Sequence, residues 1–221
     1  MSDVPVRPAS TVLVIRPSSG SGIEVLMVQR PSRGFFGGLM VFPGGALESC
    51  DFIPNPAFAD SEHRMAGIRE TAEEVGFLVT STGLVPSPRI KGGQLVDWWN
   101  SSGIDPGFER MTLVSRWVTP EGAPTRFDTR FYLVAIDDDP EIILDSEELV
   151  GHAWVTPLRG IDEVRQGTWQ MILPTMSHLR WLSRHTTVES AVAAAGGADG
   201  QTVIEPVASD GELRVRYRSP L

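Results

Sequence analysis

Three glutamates lie close together in the segment RETAEEVGF, at positions 70, 73 and 74. If residues 61–75 form an α-helix, a rotation of about 100° per residue places these carboxylates within one arc of about 100°. The opposite side of the helix carries an apolar stripe formed by Met65, Ile68, Ala72 and Val75. Like charges at this spacing destabilise a helix, and acids in its last turn oppose the helix dipole. The crowding therefore calls for a functional explanation.

A bound divalent cation would remove the repulsion between Glu70, Glu73 and Glu74. The four histidines are scattered, so no Cys/His cluster competes, and carboxylate ligands favour Mg²⁺ or Mn²⁺ over zinc. Such ions meet their substrates through phosphate oxygens and activate water, so the helix predicts phosphate chemistry. The alternative is a solvated acidic face without a metal. Arg69 can pair with Glu73 one turn further on and offset part of the repulsion.

The elements that must position this helix alternate without regular βα units, which predicts an α/β (α+β) fold with a mixed sheet between helices. Strands are predicted at 10–17, 23–31, 37–45, 77–80, 111–120, 125–136 and 149–157, and helices at 61–75, 92–103 and 160–167. Residues 174–185 and 188–196 form one broken helix or two short ones. Ser61 is the predicted N-cap of the acidic helix, Gly76 its end, and residues 46–60 an irregular loop. A domain over 1–195 is followed by a linker and a hairpin around Asp210-Gly211 over 196–221.

The composition excludes several function classes. The net charge of −9 argues against a general nucleic-acid binder. No apolar run is long enough to span a bilayer, and the N-terminus does not resemble a signal peptide. The single cysteine, Cys50, cannot form an internal disulfide, which fits a cytoplasmic location. A homodimer is the expected assembly, because the pairs Trp98-Trp99 and Phe35-Phe36 and the hairpin offer contact surfaces. Either aromatic pair could instead stack on a substrate or pack in the core.

The stretch from Gly45 to Phe77 resembles the Nudix box, G-x5-E-x7-R-E-U-x-E-E-x-G-U, where U is a bulky apolar residue. Residues 69–77 fit its second half, with Thr71 at an apolar position. In the first half Asp51 stands where the family has glutamate, and 17 residues rather than seven separate it from Arg69. An insertion of ten residues, placed at 52–61, accounts for the difference.

Further stretches are similar to the mammalian peroxisomal coenzyme A diphosphatase branch of that family. They are EVLMVQRPSRGFFGGLMVFPGG, RWVTP, TRFDTRFYL, ELVGHAWVTP and ILP, in that order. The coenzyme A motif of the bacterial enzymes is not clearly present, which leaves the substrate open. The chain ends in RSPL rather than a peroxisomal Ser-Lys-Leu type signal, so no peroxisomal address is expected.

The resemblance implies a Nudix-type α/β/α sandwich and Mg²⁺- or Mn²⁺-dependent hydrolysis of a diphosphate linkage in a small nucleotide-type substrate. It implies that the metal ligands are Glu70, Glu73, Glu74 and the Gly45 carbonyl, and that Arg69 orients the glutamates. Glu148 is the candidate further ligand or general base, with Glu147 as the alternative and an exposed loop acid as the plain reading of both. The predicted catalytic residues are therefore Glu73, Glu74, Glu148 and Arg69, with Asp51 bracing the loop.

Substrate phosphates are expected at the predicted binding residues Arg30, Arg33, Gly44, Arg126 and Arg130, although a surface salt bridge is the commoner fate of such arginines. Coenzyme A and acyl-coenzyme A lead the substrates, ahead of NADH, ADP-ribose and other nucleotides. A Nudix-like sensor that binds a nucleotide without turnover is the alternative of another class. A purely structural acidic helix is the third interpretation.

Overall fold

Strand β1 (Val6–Pro17) is the central element of the sheet in the computed structural model. The structure describes residues 4–32, 37–197, 203–209 and 212–218. The other strands are β2 (Ile23–Gln29), β3 (Met40–Val41), β4 (Gly44–Ala46), β5 (Phe77–Thr80), β6 (Gly83–Pro86), β7 (Thr112–Val118), β8 (Arg126–Ala135), β9 (Gly151–Val155), β10 (Val203–Ser209) and β11 (Glu212–Arg218). The helices are α1 (Ser61–Val75), α2 (Gly92–Ser101), α3 (Pro157–Arg165), α4 (Leu173–Leu182) and α5 (Val188–Gly197), with 3₁₀ turns at Ser49–Asp51 and Phe108–Arg110.

Within the described ranges, nine strands form one mixed sheet in the order β11-β10-β7-β8-β1-β2-β3, with β4 paired to β1 and β9 paired to β2. The pairs β1–β8 and β7–β10 are parallel, and the other pairs of this sheet are antiparallel. Strands β5 and β6 form a separate antiparallel pair. The mixed sheet predicted from the sequence is confirmed.

Side chains alternate along β1 between two cores. Val12 and Val14 are buried in the core that also contains residues of α1 and α2. Leu13 and Ile15 are buried in the core formed with α3, α4 and α5. The sheet therefore lies between two helical layers, which is the predicted α/β/α sandwich.

Helix α1 has the predicted length and ends at Gly76, whose φ of +87° suits glycine at a helix C-terminus. Its apolar stripe is buried as predicted. The alternative prediction of a solvated acidic face is wrong, because Glu70 and Glu74 are only 9% and 1% exposed. Protein covers this helix on the acidic side as well.

The start of α1 also differs from the prediction. Asp60, not Ser61, occupies the N-cap position, and no side chain makes a capping hydrogen bond there. The Asp60 carboxylate instead accepts hydrogen bonds from Arg64 and from the Tyr132 hydroxyl. Those stronger partners anchor the first turn to β8.

Other boundaries were only partly predicted. Strand β1 begins at Val6, β6 was not predicted, and the loop 46–60 contains the end of β4 and a 3₁₀ turn. Residues 174–185 and 188–196 correspond to two separate helices, α4 and α5. Strands β10 and β11 pair as the expected hairpin, whose Asp210-Gly211 turn lies outside the described residues. The division of the chain at residue 195 stays a prediction. No helix in the described ranges is long and apolar enough to cross a membrane.

Candidate active site

Two glycines bring the backbone against the carboxylates of α1. Strand β4 pairs with β1 so that Gly44 lies opposite Thr11 and Gly45 opposite Ser10. The Gly44 N–H donates a 2.9 Å hydrogen bond to Oε2 of Glu74. A Cβ atom on Gly45 would lie 2.5 Å from the carboxylate of Glu70. Only glycine therefore lets this turn approach the acidic helix so closely.

Arg69 joins the loop before α1 to the acidic helix. Its buried guanidinium makes two hydrogen bonds of 2.9 Å to the carboxylate of Asp51, which is also fully buried. It donates to Glu70 at 2.9 Å, to Glu73 at 3.4 Å and to the Ala46 carbonyl at 3.1 Å. Burial alone would lower the pKa of Arg69, but the Asp51 hydrogen bond and the surrounding carboxylates raise it. Arg69 therefore stays charged and fixes two of the three glutamates.

The start of α2 fixes the remaining oxygen of Glu73. The Gly92 N–H donates to Glu73 Oε1 at 2.7 Å. The preceding residue, Lys91, donates from Nζ to Glu148 Oε1 at 2.7 Å and forms an ion pair with Asp145. This two-residue segment therefore connects α1 to the loop between β8 and β9.

Arg30, at the end of β2, closes the site on the other side. Its Nη2 donates to the Gly44 carbonyl at 2.8 Å and lies 2.8 Å from Oε1 of Glu74. Its Nη1 lies 3.7 Å from Oε2 of Glu148. Arg30 was expected to contact substrate phosphates, and here its guanidinium lies between a buried and a half-exposed carboxylate.

Burial raises the pKa of each of the three glutamates of α1. Opposing that effect are the charge of Arg69 on Glu70, the Gly92 hydrogen bond on Glu73 and the charge of Arg30 on Glu74. Glu148 adds further repulsion to Glu70 and Glu74. The site therefore holds more negative charge than its own arginines compensate.

A cavity of about 920 Å³ opens beside these groups. One end contains Gly44, Gly45, Arg30, Glu147 and Glu148. Apolar side chains form much of the remaining wall, among them Ala9, Val41, Phe42, Trp117, Phe127 and Phe131. Gly44 and Gly45 contact the carboxylates of Glu74 and Glu70 and also line this charged end, so the acidic helix lies directly behind that part of the pocket wall.

Comparison with known proteins identifies the arrangement. No family model matches the chain. A putative Nudix hydrolase 7 of Caenorhabditis elegans is 31% identical over 170 residues, which cover 73% of this chain and 56% of that protein. The crystal structure of a Nudix hydrolase from Alicyclobacillus acidocaldarius superposes with a TM-score of 0.76 at 27% identity, over 86% of this chain and 96% of that one. The chain belongs to the Nudix hydrolase family.

A human relative within the family is the acyl-coenzyme A diphosphatase NUDT19. It is 26% identical over 217 residues, which cover 68% of this chain and 58% of that protein. The chain therefore spans little more than half the length of the curated relatives it matches.

The structure brings most of the predicted Nudix site residues together. Gly44, Gly45, Arg69 and the three glutamates of α1 are in contact, and Arg30 and Glu148 complete the same cluster. Arg33, Phe35 and Phe36 lie outside the described residues. Arg126 and Arg130 share the face of β8 opposite to Phe127 and Phe131, which line the cavity. Their contact with substrate stays a prediction.

Sequence reasoning missed other residues of this Nudix site. Lys91 and Gly92 gave no signal, because their partners lie 19 to 57 positions away in the chain. Trp117 and Phe127 line the cavity. Of the α2 tryptophans considered for stacking, Trp99 is buried in the core and Trp98 is half-buried against it. The pentapeptide RWVTP contains Trp117, and the alternation of side chains along this strand and the next could have indicated an aromatic wall.

The donor chemistry of the Nudix helix fits a hard cation. In the described part of the chain, no three acidic, histidine or cysteine side chains converge as a ready-made metal cluster. The fit rests instead on the oxygen donors: Glu74 Oε1 is buried and accepts no hydrogen bond, having only the ion pair with Arg30. Glu70 faces a glycine that leaves space beside its carboxylate. A bound cation would give these carboxylate oxygens the partners that the protein alone does not supply.

Proposed function

We propose that this Nudix domain is an Mg²⁺- or Mn²⁺-dependent hydrolase that cleaves the diphosphate linkage of coenzyme A or acyl-coenzyme A. One observation supports the proposal above all: the two glycines that contact the buried carboxylates of α1 also line the charged end of a large, mainly apolar cavity. A diphosphate fits beside the carboxylates and a cation, while a long uncharged arm fits the apolar wall. The name of the human relative, an acyl-coenzyme A diphosphatase, supports this choice over NADH and ADP-ribose.

In this proposal Glu70, Glu73, Glu74 and the Gly45 carbonyl hold the cation. When bound, the cation neutralises phosphate charge and makes water more acidic. Arg69 keeps two of these carboxylates in place through its hydrogen bonds. The residues of the cavity wall recognise the substrate.

Glu148 acts as the general base in the hydrolysis. It lines the cavity and is held between Lys91 and Arg30, so its carboxylate is fixed at the charged end. Water attacks a phosphorus atom of the diphosphate and gives its proton to Glu148, while the bond from that phosphorus to the bridging oxygen breaks. Coenzyme A would yield 4′-phosphopantetheine and adenosine 3′,5′-bisphosphate. Glu147 lines the same end and is the alternative base.

The experiment is turnover in Mg²⁺ and in Mn²⁺ against coenzyme A, an acyl-coenzyme A, NADH and ADP-ribose, with products resolved by mass. We expect metal-dependent cleavage of the coenzyme A substrates. Glu73→Gln should fold normally, because the amide oxygen can still accept from Gly92, and should lose activity by about 100-fold or more. Glu62→Gln, in the first turn of the same helix, is the matched control and should keep wild-type rates.

Each contrary result has a distinct meaning. Wild-type turnover by Glu73→Gln would overturn the metal assignment. Cleavage of ADP-ribose or NADH alone would keep the reaction and reject the coenzyme A substrate. Saturable binding with no product from any substrate would replace the hydrolase with the nucleotide sensor.

A further inference from the structure

Arg7 lines the cavity without an assigned role. It lies on β1, on the same face as Ala9 and Thr11, which also line the cavity. Its guanidinium lies over the ring of Phe127 on the neighbouring strand β8, at 5.7 Å from the ring centroid. Stacking of this kind holds a guanidinium in place while leaving its N–H groups available.

The charge of Arg7 is not matched by an acid. Among the described residues, no carboxylate lies within ion-pairing distance of Arg7. The other described basic residue of the cavity wall, Arg30, already contacts Glu74 and Glu148. Arg7 is exposed at the cavity wall and is held over Phe127, so its charge is available to an anionic group that enters the cavity.

The position of Arg7 separates that anion from the reacting diphosphate. Thr11 lies opposite Gly44, the glycine that contacts Glu74. Arg7 is four residues earlier on the same strand, about 13 Å away at roughly 3.3 Å per residue. A group bound by Arg7 is therefore a different part of the substrate from the phosphates at the carboxylate cluster.

We propose that Arg7 binds a second phosphate of the substrate, a monoester carried by the nucleoside beyond the diphosphate linkage. The inference rests on the proposed function and sharpens it, because it makes the enzyme selective for a phosphorylated nucleoside end. A guanidinium offers two parallel N–H donors to a phosphate monoester and carries the complementary charge. Phe127 orients the guanidinium by its aromatic face.

The test compares coenzyme A with dephospho-coenzyme A, which differ by one phosphate monoester. We expect the wild-type protein to prefer coenzyme A by about 10- to 100-fold in kcat/KM, mainly through KM, as for a charged hydrogen bond. Arg7→Gln should reduce this preference to near unity by slowing only the coenzyme A reaction. Arg7→Lys, which keeps the charge but not the forked geometry, should keep part of it.

The controls separate recognition from folding and from net charge. Arg165→Gln makes the same change of charge on α3, where Arg165 is exposed and pairs with Asp162. It should keep the wild-type preference. Competition by adenosine 3′,5′-bisphosphate against AMP gives a second measure, and Arg7→Gln should weaken only the bisphosphate.

The failures are distinguishable. If Arg7→Gln turns over both substrates with the wild-type preference, the Arg7 inference is overturned while the hydrolase proposal stands. If the wild-type protein shows no preference, the inference is equally overturned. If the wild-type protein turns over neither substrate, the proposed function fails and the inference fails with it. A poorly folded Arg7→Gln leaves Arg7→Lys and the wild-type competition to decide.

Discussion

Lys91 contacts the acidic residues of the loop between β8 and β9, and its neighbour Gly92 contacts the acidic helix α1. It is the one lysine among 19 basic residues of the chain. Its ammonium group bridges Asp145 and Glu148, and the next backbone N–H binds Glu73. Two adjacent residues, Lys91 and Gly92, therefore position the proposed base Glu148 and the proposed metal ligand Glu73.

Removing the Lys91 charge should affect catalysis more than stability. Lys91→Met should lower kcat by about 10- to 100-fold, because Glu148 loses one of its two cationic contacts and becomes mobile. The thermal midpoint should change little, since half-exposed ion pairs contribute about 0–1 kcal/mol. Lys91→Arg should restore most of kcat. Steady-state kinetics and thermal denaturation of both variants measure this, and an unchanged kcat in Lys91→Met would show that Lys91 does not position the base.

The Asp51–Arg69 pair is a structural requirement of the site. Asp51→Ala would remove the carboxylate that accepts two hydrogen bonds from the fully buried guanidinium of Arg69. We expect a loss of about 3–5 kcal/mol in the free energy of unfolding, measured by chemical denaturation. Asp162→Ala removes the partner of the exposed Arg165 and should cost less than about 1 kcal/mol. Equal losses in the two variants would contradict the prediction.

At the scale of elements, helix α1 shows what a sequence can predict and what it cannot. The 3.6-residue period and Gly76 predicted its bounds and its buried stripe correctly, because both depend on local geometry. Periodicity could not show that the acidic side is also covered. That cover comes from β4 and from the start of α2, which reach Glu74 and Glu73 through tertiary contacts.

The two glycines of β4 should respond differently to alanine. Gly44 has φ of +151°, and a Cβ atom there would overlap the backbone of Ser10 and lie 2.7 Å from Cα of Thr11. Gly44→Ala should therefore destabilise the fold by several kcal/mol, roughly 1–3 from backbone strain alone. Gly45→Ala meets only the carboxylate end of Glu70, which can move aside. It should keep most of the stability and lose most of the activity.

Thermal denaturation and kcat of the two variants test this contrast. Gly151→Ala is a suitable control, since a Cβ atom there meets only ordinary contacts with Gln29, the nearest at 3.4 Å. An active Gly45→Ala would mean that the Glu70 carboxylate does not need its present position. A stable Gly44→Ala would mean that β4 can shift away from β1.

For the whole molecule, the sequence predicted the mixed sheet and most of its strands, because alternation and turns are local signals. It did not predict which face of β8 would line the cavity. Arg126 and Arg130 share one face, as predicted, while Phe127 and Phe131 line the cavity from the other. The face that lines the cavity depends on where the start of α4 packs beside the sheet. The sequence of β8 alone does not show that position.

A buried histidine links the cavity wall to the stability of the fold. His178 on α4 stacks on Phe131 with ring centroids 4.3 Å apart. Its Nδ1–H donates to the Pro174 carbonyl at 2.7 Å, so Nε2 accepts from the Ser115 hydroxyl at 2.8 Å. Trp117 Nε1 donates to the same hydroxyl at 3.1 Å. The imidazole is therefore neutral, and burial lowers the pKa of His178 to about 4.

This pKa predicts a loss of stability in mild acid. Because the folded state binds a proton less readily than the unfolded state, the contribution of His178 is complete above about pH 6.5 and falls towards pH 4. From pH 7 to pH 5 the loss is about 2 kcal/mol in the free energy of unfolding. His178→Gln keeps hydrogen-bonding capacity but does not titrate. Between pH 7 and pH 5, the free energy of unfolding of this variant should therefore fall by about 2 kcal/mol less than that of the wild type. Parallel pH slopes in urea denaturation of the two proteins would contradict the assignment.

The alternation of β1 between two cores also has a consequence for how such enzymes diversify. Ser10 and Val12 face the acidic helix, whereas Arg7, Ala9 and Thr11 face the cavity. In the proposed enzyme, the metal-binding helix and the substrate pocket therefore lie on opposite sides of one strand. Mutations at alternate positions can retune selectivity through evolution while the hydrolytic machinery behind them is left untouched.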